Sequence, residues 1–263
     1  MLPDVVILGL LEGLTEFLPV SSTGHLILAG HFMHREGAFW STFEIVIQVG
    51  AILAVLLEYR ESFVALVAAP ARDSSRRLWG NLIIGFLPAM VLGALFHHAI
   101  KARLFGPRPV AIALIVGAVA MLAVERLRRT ESTKTLDAVR LPQAFTIGVA
   151  QCAALFPGFS RAAAAILGGL LVGLDRPTAA QYSFLLGVPT LLAAAAKDLF
   201  DARHGLGGGD LAWMGVGLAV SFVSAWAAVR WFVRFVSRHS LDVFAWYRLA
   251  LGVAMLLLLR VSG

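Results

Sequence analysis

Long apolar runs, separated by short polar segments rich in arginine, follow one another along the whole chain. Six of them, at about residues 40–59, 80–98, 108–126, 181–199, 211–231 and 243–261, are each about 17–23 residues long. As helices, runs of that length cross a hydrocarbon core of about 30 Å. A transmembrane β-barrel would need short alternating strands, and none is visible. The expected class is all-α: a polytopic membrane protein with six transmembrane helices.

Two further apolar stretches, about 3–31 and 142–174, are broken near their middles by Pro19-Val20-Ser21-Ser22-Thr23-Gly24 and by Pro157-Gly158-Phe159-Ser160. Proline and glycine interrupt a helix and free backbone groups. Lipid cannot satisfy those groups, so the breaks must be buried in protein or line a polar cavity. Both stretches read as re-entrant helical hairpins. The alternative is one kinked span each, and the shortness of each half argues against it.

The two halves of the chain also resemble each other. Gly9-Leu10-Leu11-Glu12 aligns with Gly148-Val149-Ala150-Gln151, and Pro19-Val20-Ser21-Ser22 with Pro157-Gly158-Phe159-Ser160, with a one-residue gap between the blocks. Residues 1–263 then form a single integral membrane domain with a first repeat over 1–126 and a second over 142–263. Broken segments at matching places in two halves point to a binding site near the bilayer midplane.

Composition agrees with this class: 59% of the residues are hydrophobic and 14% charged, and the mean hydropathy is +0.82. Soluble domains carry about 25% charged residues. The formal charge of +6 sits mainly between spans, which favours basic cytoplasmic loops over nucleic-acid binding. The single cysteine, Cys152, excludes an internal disulfide, and Met1 to Leu11 lacks the basic start expected of a signal peptide.

Charge also sets an orientation. If each hairpin returns to its own side, the side opposite the N-terminus collects Arg60, Arg72, Arg76, Arg77, Arg126, Arg128, Arg129, Lys134, Arg140, Arg176, Arg230, Arg234 and Arg238. The N-terminal side holds Arg35, Lys101, Arg103, Arg108, Arg203 and Arg260, so the count is thirteen against six. The richer side is cytoplasmic by the positive-inside rule, and both termini face outward. One hairpin then enters from outside and the other from the cytoplasm. The repeats are inverted, and their polar tips can meet.

Candidate chemistry concentrates at those tips. Glu12 and Glu16 lie four residues apart, on one face of a helix, in apolar surroundings. Two carboxylates this close in low dielectric call for a shared proton or a cation. Oxygen ligands suit Mg²⁺ or Ca²⁺, and Mg²⁺ is usually shared with a phosphate. The plainer alternative is a pair facing a watery vestibule. Ser21, Ser22 and Thr23 stand beside Gly24 at a turn that can present N–H groups to an anion, or can simply cap a helix. His25 follows, and a histidine can act as base, acid or nucleophile.

In the second hairpin Arg161 follows Gly158, Phe159 and Ser160 in a stretch without other charges. It needs an anion, either a glutamate of the first hairpin or a substrate phosphate held in bidentate fashion. The helix it opens would add its dipole. Glu44 and Gln48 form another i,i+4 pair, Lys197 and Asp198 can snorkel, and His97, His98, Tyr247 and Arg248 read as interfacial. No Cys/His metal cluster, Walker loop or dinucleotide fingerprint is present.

The run Glu12-Gly13-Leu14-Thr15-Glu16-Phe17-Leu18-Pro19-Val20-Ser21-Ser22-Thr23-Gly24-His25 closely resembles the first signature of the bacterial undecaprenyl-diphosphatase, or bacitracin-resistance, family. Pro157-Gly158-Phe159-Ser160-Arg161 resembles its second, and Glu44 to Leu53 and Trp246 to Gly252 are similar too. The resemblance implies inverted repeats, two re-entrant hairpins and six spans in the bacterial inner membrane. It also implies divalent-cation dependence, a site open to the periplasmic side, and hydrolysis of undecaprenyl diphosphate to recycle the lipid carrier for cell-wall synthesis.

Carried over by position, Glu12 and Glu16 are metal residues and Glu16, Ser22, His25 and Arg161 are catalytic. Ser160 is carried over as well, and with Ser21, Thr23, Gly24, Gly158 and Phe159 of the two turns it is expected to bind substrate. The chain departs from the family where a serine and a threonine usually follow the arginine, at Ala162 and Ala165. The expected partners are a polyprenyl diphosphate and the bilayer, not nucleic acid, and a homodimer is compatible with the reading. The competing function is a transporter or flippase of a lipid-linked phosphate, which also uses inverted repeats and broken helices. A scaffold without a ligand leaves the buried charges unexplained.

Overall fold

The computed structural model describes residues 1–35, 37–104, 106–127, 131–202 and 210–261. Arg128, Arg129 and Arg203 of the charge count lie outside the described residues, as do the side chains of His97, His98, Lys101 and Arg103. Among the described residues the structure is helical with no β-strand, and six helices are long and apolar enough to cross a membrane. The six predicted spans are all present. They are α3 (Ala38–Glu58), α5 (Asp73–Leu104), α6 (Pro107–Leu127), α9 (Arg176–Ala202), α10 (Asp210–Val236) and α11 (Asp242–Val261). Several begin earlier than their hydropathy does, because polar first turns such as Asp73 to Arg77 continue the helix beyond the apolar run. The stretch after α3, expected as a linker, contains the short helix α4 (Arg60–Ala68).

The two broken stretches fold as α1 (Leu2–Thr15) with α2 (Ser22–Met33), and as α7 (Leu141–Gln151) with α8 (Arg161–Leu171). A 3-10 turn over Cys152–Leu155 lies within the second break. None of these four helices exceeds 14 residues, about 21 Å, too short to cross alone. In both stretches the chain doubles back. Asp4, at the start of α1, pairs with Arg35, just past the end of α2, at 2.8 Å. Near the start of α7, Gln143 donates to the Val172 carbonyl just past α8 at 2.9 Å, and the Thr133 N–H donates to Gly173.

The halves interlock. α1 packs on α10 and α7 packs on α5, so each hairpin leans on a helix from the opposite half. Small residues make both approaches possible. A Cβ on Gly9 or Gly13 would strike the Gly217 or Ser221 carbonyl, and one on Gly148 would strike Gly85. Between apolar helices in lipid, close backbone approach is the main source of attraction. Two pairs of helices, α3 with α9 and α6 with α11, complete the core. At one end Glu125 of α6 receives Arg176 of α9 in a bidentate pair (2.9 and 2.7 Å) and also accepts the Leu241 N–H before α11. That places three expected cytoplasmic segments together.

Candidate active site

The two breaks have one design. Ser21 and Ser160 are the N-caps of α2 and α8, and both have left-handed backbone, with φ of 72° and 73°. Such φ is rare for serine and is held only where surroundings enforce it. Each serine Oγ accepts from a backbone N–H three residues on, Gly24 at 3.4 Å and Ala163 at 3.2 Å. Capping leaves the first N–H groups of both helices available to an anion, reinforced by the helix dipole. This geometry corrects the sequence alignment of the breaks. The structural equivalent of Ser160 is Ser21, not Ser22. The spacing from Gly9 to Ser21 equals that from Gly148 to Ser160, so no gap is needed. Ser22 and Arg161 are therefore the matched first residues of the two helices.

Glu16 joins them. It follows α1, is 7% exposed, accepts a hydrogen bond from Ser22 Oγ on one oxygen, and faces Arg161 Nε at 3.8 Å with the other. Arg161 donates through Nη1 to the Ser183 carbonyl of α9 at 3.0 Å and lies over the Phe17 ring at 5.2 Å. A Cβ on Gly187 would fall 2.4 Å from Nη1, so a glycine in α9 makes the room. Two donor nitrogens of Arg161, Nε and Nη2, are buried without a hydrogen-bond partner. Buried donors of a cation left unpaired are costly, and a phosphate would satisfy both.

Glu12 is 1% exposed, and one of its oxygens, Oε1, likewise has no partner. The charges close enough to act on it are those of Glu16 and Glu44. Glu44, a minor signal in the sequence, thus belongs to the acidic cluster. Gln151 stands at the position in α7 that matches Glu12. It donates to Thr190 at 3.4 Å and has a buried Oε1 without a partner. No group of three or more His, Cys, Asp or Glu poised as a metal cage occurs among the described residues.

His25 is buried but does not join Ser22. Its Nδ1 lies 2.8 Å from the Ser21 carbonyl and its Nε2 lies 2.6 Å from the Tyr247 hydroxyl. The carbonyl can only accept, so Nδ1 carries the proton, and in the neutral ring Tyr247 donates to Nε2. With both nitrogens engaged, the group that receives the Ser22 hydroxyl is Glu16. His25 instead lines an apolar cavity of about 520 Å³ with Leu14, Leu18, Val20, Trp231, Phe244 and Tyr247.

Arg248 differs most from its sequence reading. Expected at the interface, it is 0% exposed. It donates through Nη1 to the Pro19 carbonyl at 3.2 Å and through Nη2 to the Gly158 carbonyl at 3.1 Å, with a longer contact to Ala113. The signal available was the pairing of an arginine in the apolar body of α11 with Gly117 in α6, where a Cβ would lie 2.0 Å from Nη2. Such a pairing shows only once α6 and α11 are known to touch. Thr23 and Gly24 lie at the start of α2 and Phe159 lies under the Arg248 guanidinium at 5.8 Å, so the predicted binding residues gather around these turns. Ala162 and Ala165 are buried in the apolar core.

Comparison with known proteins completes the picture. A family model described as "Bacitracin resistance protein BacA" matches residues 5–254. The chain is 47% identical over 257 residues to "Undecaprenyl-diphosphatase" of Rhizorhabdus wittichii, covering 97% of this chain and 96% of that protein. It is 50% identical over 258 residues to "Undecaprenyl-diphosphatase 2" of Rhodospirillum rubrum, with 97% and 94% covered. To "Undecaprenyl-diphosphatase 1" of Paraburkholderia xenovorans it is 45% identical over 264 residues, with 98% and 95% covered.

Proposed function

The chain belongs to the bacitracin resistance protein BacA family, and from that premise we propose that it is an integral membrane undecaprenyl-diphosphatase with one site built from both hairpins. It hydrolyses undecaprenyl diphosphate to undecaprenyl phosphate and phosphate. The observation that carries the site is the Glu16 carboxylate, which spans Ser22 at the start of α2 and Arg161 at the start of α8.

The mechanism follows from those contacts. Arg161, whose Nη2 has no partner, and the open N–H groups of α2 and α8 take the diphosphate oxygens, where negative charge spreads in the transition state. Ser22 Oγ forms a bond to the terminal phosphorus as the bond from that phosphorus to the bridging oxygen breaks. Glu16 accepts the hydroxyl proton and passes it to the departing lipid monophosphate. Water, deprotonated by Glu16, then attacks the phosphoserine, the bond from phosphorus to Ser22 Oγ breaks, and Glu16 returns the proton to that oxygen as phosphate leaves. His25 and Tyr247 line the apolar cavity, in which the first isoprene units of the substrate lie against Trp231 and Phe244.

The acidic cluster fits a divalent cation of the Mg²⁺ or Ca²⁺ type. Glu12 has an unsatisfied oxygen, Glu44 lies near it, and Mg²⁺ commonly takes only one or two carboxylates beside substrate phosphates. Glu16, with both oxygens engaged, is less suited to that role than Glu12. A bound cation would neutralise phosphate charge.

The two stretches are read as hairpins re-entering the bilayer from opposite sides, within inverted repeats over about 1–126 and 142–263. The return of each stretch to its starting side and the matched serine caps support this. The arginine-rich side is cytoplasmic, and the site opens to the periplasmic side of the inner membrane. All the site groups come from one chain, so a second copy is not required. Phosphate release from undecaprenyl diphosphate by the purified protein tests the reading, with EDTA as the cation control. Turnover by wild type, with ³²P trapped on Ser22 after acid quench, is expected. No release with any divalent cation, together with lipid flipping in liposomes, would favour the transporter.

A further inference from the structure

Arg248 is the one fully buried arginine that touches both hairpin breaks, and no carboxylate contacts it among the described residues. Two of its three carbonyl partners, Pro19 and Gly158, are structural equivalents. Pro19 stands two residues before the Ser21 cap, and Gly158 two residues before the Ser160 cap. A planar guanidinium has donors on two separate nitrogens at fixed spacing, so it can hold two carbonyls at a set separation. An ammonium is a point charge on a flexible stem. One residue, Val20 or Phe159, separates each carbonyl from a left-handed serine that starts a helix. Holding both carbonyls therefore sets the mutual aim of the two helix N-termini.

We propose that Arg248, resting against Gly117, is a positioning residue that aligns the start of α2 with the start of α8 so that both grip one diphosphate. The proposal rests on the phosphatase reading above. Arg248 does not react; it acts through Ser22 and Arg161, whose backbone N–H groups it registers against each other. Gly117 is part of the device, because a methyl there would occupy the place of Nη2.

The test compares full-length wild type, Arg248→Lys and Gly117→Ala with Met121→Ala. Met121 is a buried residue of α6 one turn beyond Gly117 and outside the site. The readouts are melting temperature, kcat and KM on undecaprenyl diphosphate, and amide hydrogen exchange at residues 21–25 and 160–164. Arg248→Lys and Gly117→Ala are each expected to cut kcat at least tenfold with KM within threefold. Exchange should rise at both turns together. Met121→Ala should lower the melting temperature as much, with kcat kept and the turns unchanged. Loss of kcat in step with melting temperature across all three variants would overturn the proposal, as would loosening of only one turn. Coupled loosening with no phosphate release from wild type would keep the positioning role and reject the phosphatase reading.

Discussion

The first break carries two carboxylates, four hydroxyls and a histidine within 14 residues; the second carries one arginine followed by four alanines. Their backbones are nevertheless alike, down to a left-handed serine cap and a capped helix start. The difference teaches that one frame has been given two chemistries. Where α2 begins with a hydroxyl that can be attacked through or attack, α8 begins with a fixed positive charge. Where α1 offers Glu12, α7 offers the neutral Gln151. The anion-binding property belongs to the frame, and the reactivity belongs to one copy of it.

The sharpest way to break this comparison is to remove the group that joins the copies. Glu16→Gln and Arg161→Ala are each expected to lower kcat by about a thousandfold, the scale of losing a principal electrostatic or acid–base group. Phosphate release in detergent measures it. Removing one partner of a buried pair also costs about 3–5 kcal/mol of stability. Melting temperature must therefore be followed in parallel, and the double variant should lose less stability than the two single losses added. Next, Ser22→Ala should abolish the acid-stable phosphoenzyme and cut kcat by about two to three orders of magnitude. A label that persists in this variant would move the nucleophile elsewhere.

A smaller effect is expected from Glu12→Gln. It should raise the concentration of Mg²⁺ needed for half-maximal activity about tenfold while leaving the Ser22 label intact, since Glu12 holds the free oxygen. Tyr247→Phe removes one hydrogen bond to His25 and should cost about tenfold or less in kcat/KM. The smallest change is expected from Ala162→Ser, a departure from the family pattern. The side chain at this position is buried in the packed core, so kcat should shift less than about threefold.

Much of this arrangement is legible in the sequence. Length and hydropathy locate the six spans, and proline with glycine locates both breaks, because lipid forbids free backbone groups. The meeting of Glu16 with Arg161 follows from charge placed among apolar residues, where a lone arginine needs an anion. The register of the breaks was misread because Pro19 and Pro157 are the more visible markers, whereas the caps that match are serines distinguished only by φ. Arg248 escaped because its partners are main-chain carbonyls 229 and 90 residues away, which no local pattern encodes. The grouping of His25 with Ser22 came from adjacency in sequence. Ser22 and His25 lie three residues apart on α2, yet they take different partners, Glu16 and Tyr247.

The interlocking of α1 with α10 and α7 with α5 has a consequence for biogenesis. A nascent chain leaving the insertion machinery lays down its acidic hairpin first, yet the surface that shelters it is synthesised about two hundred residues later. Arg248 arrives later still. Until then Glu12 and Glu16 sit in an unfinished protein, exposed to lipid or to an assisting insertase. Premature termination anywhere before the last helix thus yields an inert fragment rather than a partly competent one, and quality control can recognise it by its stranded acids.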